Sequence, residues 1–203
     1  MSDAQFETAL QGRETASGLS VEIREMTGRG MIDLRGLPGD AAFMAAVKQV
    51  LNLDLPTTPR TSAAWGEVQA LWLSTDQWLI LWPRAKTEEL LGALRQALAG
   101  IHSFAVDVSD MRTIIRLEGD QARTLLLKGC SLDLLSADYG PGTARRLRFA
   151  EIAALLHIVS GKPDVIDIYV FRSYADYVWD WFLANGRAVA EVHQFGKQTS
   201  PAV

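Results

Sequence analysis

Val106–Leu134, VDVSDMRTIIRLEGDQARTLLLKGCSLDL, decides how this chain is read. Met111 to Leu117 alternates and is rich in β-branched residues, which suits a pleated, half-buried strand. Gly119 permits a tight turn, Asp120 is a good N-cap, and Ala122 to Leu127 supplies an apolar helical face. Gly129 stands where a left-handed residue closes a helix, and Leu132-Asp133-Leu134 leads the chain out. The stretch predicts a strand, a turn, a capped helix and an aspartate-bearing exit.

The same order runs through the first half. Met31 to Leu34 reads as a strand, Arg35 to Gly39 as a turn, and Asp40 as the cap of a helix with Phe43, Val47, Val50 and Leu51 on one face. Asn52-Leu53-Asp54-Leu55 then echoes Ser131-Leu132-Asp133-Leu134, and Pro56 and Pro59 begin a loop. Val68 to Ser74 and Trp78 to Trp82 form a hairpin, and Thr87 caps a helix facing inward through Leu90, Leu91, Leu94 and Leu98. Phe104 to Val108 bridges the halves. Strands at Arg145–Phe149, Ile152–Val159 and Val165–Phe171 follow, before a last helix capped by Ser173 and ending at Asn185-Gly186. Each half reads β-α-β-β-α-β. The expected fold class is α+β, two related ferredoxin-like (split βαβ) subdomains. The boundaries are a flexible N-terminal arm at 1–20, subdomains at 21–103 and 104–193, and a tail at 194–203. The arm is too polar to order itself, so it is a loose tail or lies on a partner.

With 203 residues the chain can bury one good core or two small ones side by side. Net charge −4 argues against nucleic acid, which requires a basic face. Arg145, Arg146 and Arg148 form the dense basic cluster, read as a solvated strand edge or as a contact with an acidic partner or ligand. One cysteine, Cys130, permits no internal disulfide and suits a reducing compartment, and its apolar neighbours suggest an inert thiol. Neither a signal peptide nor a membrane span is visible, so the expectation is a cytoplasmic protein.

Little of the usual chemistry is present. His102, His157 and His193 have no ligand spacing, and His157 inside an apolar strand reads as a hydrogen-bonded or edge residue. Gly28-Arg29-Gly30 and Gly140-Pro141-Gly142-Thr143 lack the spacing of phosphate loops. No G-x-S-x-G elbow is present to suggest acyl transfer. No catalytic, cofactor-binding or metal-ligating residue is assigned.

The DVS-M segment opening a strand, Gly, helix and Asp-Leu unit resembles the folate-dependent aminomethyltransferases. The fold is also similar to the N-terminal domain of tRNA-modification GTPases. Arg172-Ser173-Tyr174-Ala175, followed by a Trp-rich helix, more closely resembles the gamma subunits of four-subunit bacterial sarcosine oxidases. The resemblance covers Met31 to Arg187. It implies the folate-binding aminomethyltransferase fold without its chemistry. In Glu151 to His157, Ala153 and Ala154 stand where those enzymes carry an aspartate pair that includes the acid-base residue. It further implies alpha, beta and delta partner subunits holding NAD, FAD, FMN and zinc. Such a complex demethylates sarcosine to glycine and passes the one-carbon unit to tetrahydrofolate. The alternative is a stand-alone folate-binding one-carbon transferase or folate-binding maintenance protein.

On the last helix Tyr174, Val178, Trp181 and Phe182 share the core face, while Trp179 and Leu183 lie on the side of Asp176 and Asp180. These two are either covered by another element or face another protein. With Arg172 and Trp78 they are the partner-interface candidates.

Overall fold

Trp78-Leu79-Ile80-Leu81 is apolar at consecutive positions, and all four side chains are fully buried. A strand with that pattern has to be covered on both faces. The computed structural model, which describes residues 7–14, 19 and 21–186, shows by what. The strands are β1 (Glu22–Glu25), β2 (Arg29–Gly36), β3 (Ser62–Trp65), β4 (Val68–Ser74), β5 (Gln77–Pro83), β6 (Ser103–Asp107), β7 (Arg112–Glu118), β8 (Ala144–Phe149), β9 (Ile152–Gly161) and β10 (Asp164–Phe171). The helices are α1 (Ala41–Leu51), α2 (Thr87–Ala97), α3 (Ala122–Leu127) and α4 (Ala175–Gly186). The strands form two five-stranded antiparallel sheets, β3-β4-β5-β2-β6 and β1-β7-β10-β9-β8.

Alternate residues on each strand point to different layers. Trp78 and Ile80 join Ile32, Leu34, Phe43, Val47 and Leu94 under α1 and α2. Ile115, Leu156, Ile166 and Ile168 join Leu125, Val178 and Phe182 under α3 and α4. The remaining face of each sheet meets the other: Met31, Leu71, Leu73, Leu79 and Leu81 pack on Ile114, Leu155 and Tyr169. The layers are helices, sheet, sheet, helices. The α+β class and the ferredoxin-like order of each sheet agree with the sequence reading, β3 and β8 being additional edge strands.

The sheets do not divide at Ser103/Phe104. β6 pairs with β2 and completes the first sheet, whereas β1 pairs with β7 and completes the second. The second unit thus takes its outer strand from the start of the chain. β1 escaped the sequence reading because Glu22, Arg24 and Glu25 are charged and Ile23 alone enters the core. β3 was hidden behind the two prolines.

Asp40 caps α1 as expected, accepting from the Ala42 and Phe43 amides at 2.9 and 3.3 Å. The other caps differ. Thr87 is the first residue of α2, buried so close to Gly30 that a Cβ there would stand 1.8 Å from its hydroxyl. Gln121 rather than Asp120 precedes α3, and Ser173 lies in a 3-10 turn, Arg172–Tyr174, ahead of α4. Gly129 is not left-handed. It is small because Phe149 packs on it, and a Cβ would meet that ring at 2.6 Å.

Part of the N-terminal arm lies on this chain itself. Leu10 is buried in the second core, and Arg13 bridges Asp176 at 2.7 Å and Asp180 at 2.8 Å on α4. Residues 1–6, 15–18 and 20 of that arm, and the tail at 194–203, lie outside the described residues.

Because Ile23 carries the packing of β1, Ile23→Ala is expected to lower stability by about 2–5 kcal/mol. Urea unfolding checks this, and an unchanged midpoint would show that β1 contributes nothing to the second sheet.

Candidate functional site

The layer between the sheets is ordered in ranks across the second sheet. One rank is polar: Ala144, His157, Asp167 and Arg116 stand opposite one another on β8, β9, β10 and β7. The next is Arg146, Leu155, Tyr169 and Ile114. Beyond it Phe171 stands opposite Arg112, and Ala153 opposite Arg148. Here the large side chains run out, and a cleft of about 300 Å³ forms between Leu73, Arg112, Arg146, Leu147, Ala153, Ala154, Leu155, Tyr169 and Phe171. No aspartate, glutamate, histidine or cysteine lines it. Of the two alanines singled out in the sequence, exposed Ala153 lies on the face of the cleft, whereas Ala154 turns its methyl into the second core.

Its charge comes from two arginines. The Arg112 guanidinium lies over the Phe171 ring, 5.0 Å from the centroid. Burial, and then the nearby Arg146 charge, hold Arg112 below the usual arginine range, against a weaker pull from Asp33. Arg146 donates to the Gln77 amide oxygen at 2.9 Å, and Gln77 in turn donates to both Asp33 oxygens at 2.9 Å. Among the described residues neither Arg112 nor Arg146 forms an ion pair. The sequence reading had grouped Arg146 with Arg145 and Arg148, which have partners: Arg145 donates to the Tyr139 hydroxyl at 2.6 Å, and Arg148 pairs with Glu151.

The polar rank contains a contact that sequence distance concealed. Ser62 on β3 stands 3.0 Å from His157 Nε2, where a Thr61–Thr143 bridge joins the edges of the two sheets. The Ser62 hydroxyl donates to the Gly142 carbonyl at 3.0 Å, which makes Nε2–H the donor to Ser62 Oγ. Both Asp167 oxygens are taken by Arg116, at 2.7 and 2.9 Å. With its base protonated toward the serine and its carboxylate already engaged, the group is a latch between sheets and not an acyl-transfer triad.

The interface candidates separate. Trp78 is fully buried under α1 and α2, its indole N–H donating to the Pro56 carbonyl at 2.8 Å. Trp179 is buried in the second core with Ala175, Val178 and Phe182, so of its two readings the covered one holds. Neither ring is offered to a partner. Leu183 is half-buried against that core, and the half-buried Arg172 donates to the Glu7 carbonyl of the arm. The aromatics at the surface are others: Trp65 on edge strand β3 is 62% exposed and Phe104 on edge strand β6 is 52% exposed. Tyr174, assigned to the core face, is exposed as well. Burial pushes the Cys130 thiol up, which suits an inert side chain. Among the described residues no three His, Cys, Asp or Glu side chains converge as metal ligands, and no helix is long and apolar enough to cross a membrane. His193 lies outside them.

Burial lowers the His157 pKa from 6.5 to about 4. Between these values the unfolded chain binds a proton here and the folded chain does not, so stability falls as pH drops through that window and levels off below it. The loss from this group is about 3 kcal/mol at most. Urea unfolding near pH 7 and near pH 4 should show wild type losing more than His157→Gln by about this amount. Equal losses would contradict the buried neutral imidazole.

The profile of the sarcosine oxidase, gamma subunit family matches residues 35–189. The chain is 30% identical over 160 residues to a sarcosine oxidase subunit gamma from Corynebacterium sp. (strain U-96), covering 75% of this chain and 74% of that one. It is 32% identical over 138 residues to the corresponding subunit from Arthrobacter sp, covering 68% and 66%. A chain of the heterotetrameric sarcosine oxidase from Corynebacterium sp. U-96, solved in complex with pyrrole 2-carboxylate, superposes with a TM-score of 0.77 at 26% identity, over 89% of this chain and 92% of that one. The glycine cleavage system aminomethyltransferase T from Bartonella henselae shares the fold alone, with a TM-score of 0.62 at 13% identity over 83% of this chain and 47% of that one. Profile, identity and superposition cover the same body of the chain, and it belongs to the sarcosine oxidase gamma subunit family.

Proposed function

We propose that this chain is the gamma subunit of a four-subunit sarcosine oxidase, with an assembly role and no chemistry of its own. The observation that carries the second half is the cleft at Ala153 and Ala154, whose lining has no group to move a proton near neutral pH. An arginine does not release its proton there, and burial raises the Tyr169 hydroxyl well above its ordinary range. The complex so assigned demethylates sarcosine oxidatively to glycine and passes the one-carbon unit to tetrahydrofolate. Its alpha, beta and delta subunits hold the FAD, FMN, NAD and zinc, and it works in the cytoplasm. The described residues of this chain fit none of these groups: they offer neither a converging metal-ligand set nor a glycine-rich phosphate loop.

Exposed Trp65 and Phe104, on the free edges of the first sheet, are the aromatic side chains this surface offers to neighbours. Tagging the chain in its native host and purifying it gently should bring down a flavin-coloured assembly with sarcosine oxidase activity. Trp65→Ser combined with Phe104→Ser should release the colour while the chain stays folded by circular dichroism. A chain that elutes alone and colourless, and by itself transfers a one-carbon unit to tetrahydrofolate, would overturn the assignment in favour of a stand-alone transferase.

A further inference from the structure

Arg112 and Arg146 line one cavity, and among the described residues neither has a carboxylate partner. Arg112 is half-buried, and its polar neighbour is the weakly accepting Met111 sulfur at 3.6 Å. Arg146 is answered by a neutral amide, with the Asp33 carboxylate one residue further off and also 3.9 Å from Arg35. Burying a cation without a counter-charge is unfavourable, which bears on half-buried Arg112, and exposed Arg146 adds a second cation beside the same small space. Elsewhere the same fold satisfies its buried arginines fully: Arg116 has Asp167, and Arg123 has Asp164 together with the Leu134 and Tyr139 carbonyls.

The rest of the lining is apolar and shaped. Ala153 leaves room that a larger side chain would fill, and Phe171 and Tyr169 supply ring surfaces beside it. A cavity of about 300 Å³ with mostly apolar walls and a few convergent polar groups is the usual form of a small-molecule site. Guanidinium forks match the geometry of a carboxylate.

We propose that the cleft between Arg112, Arg146, Phe171 and Ala153 binds a small carboxylate-bearing molecule with a flat apolar body. Its carboxylate lies between the two guanidinium groups, and its body covers the Ala153 methyl and the Phe171 ring. The site involves no bond making or breaking. It is separate from the assembly role proposed above, since it needs no partner.

Benzoate is the probe and benzamide its uncharged isostere, titrated by calorimetry into the full chain and into the assembly it purifies in. The expected result is saturable one-to-one binding of benzoate, about tenfold or more tighter than benzamide and weakened by added salt. Arg112→Met and Arg146→Met should each weaken benzoate about tenfold or more, while Arg95→Met, out on α2, should not. Arg146 is exposed, so its variant tests the site even if Arg112→Met fails to fold. No saturable binding, equal binding of benzamide, or indifference to Arg146→Met would each overturn the proposal. Binding by the full chain that disappears in the assembly would overturn it too, because a neighbouring subunit's carboxylate would then be the occupant.

Discussion

The packing of one sheet on the other is the constraint from which the rest follows. Leu71, Leu73, Leu79 and Leu81 on one side and Ile114, Leu155 and Tyr169 on the other form a layer with no helix in it. Sheets packed in this way keep about 10 Å between them, filled by interdigitating side chains. Every central strand must therefore be apolar on both faces, which is why β5, β9 and β10 read as nearly unbroken apolar runs instead of alternating ones. The exceptions are informative for the same reason. His157, Asp167 and Arg116 enter the layer only as a rank of mutually facing polar groups, with Ser62 closing it from the other sheet.

The cleft is what remains where that layer ends. Leu73, Leu155 and Tyr169 belong both to the inter-sheet core and to the cleft wall, so the cavity has a floor as rigid as the core itself. Past them the second sheet offers alanines on β9 and arginines on β7 and β8. In this chain the fold shared with the aminomethyltransferase leaves a cavity whose lining, among the described residues, has no carboxylate.

Much of the fold was legible because it rests on local rules. Asp40 begins α1, the apolar runs mark β4, β5, β9 and β10, and the repeated order gave two related sheets. What sequence concealed was non-local. Glu22 to Glu25 carries one apolar side chain, so only its pairing with β7 makes it a strand. Gly129 was assigned a left-handed cap, whereas it yields space to Phe149, and ring proximity has no sequence signature. Trp179 sits beside exposed Asp180, and its burial follows from packing against the second core, which the helical pattern alone left open. The alanine pair could be placed by resemblance, but the approach of Arg112 to Arg146 required the β7–β10–β9–β8 order. The Ser62–His157 latch needed both sheets at once.

The strand borrowed from the start of the chain has a consequence for synthesis. Translation delivers β1 first, yet its partner β7 comes much later; Arg24 and its ion-pair partner Glu118 are 94 residues apart. The first sheet spans 29 to 107 without interruption and can close as soon as β6 leaves the ribosome. During that interval β1 waits unpaired while a complete α/β layer forms beside it. The second sheet then assembles against an existing surface, with its edge strand already tethered to it by the short connection from Glu25 to Arg29. The long-range pairing that would slow folding is thereby postponed until the loop it must close is already compact.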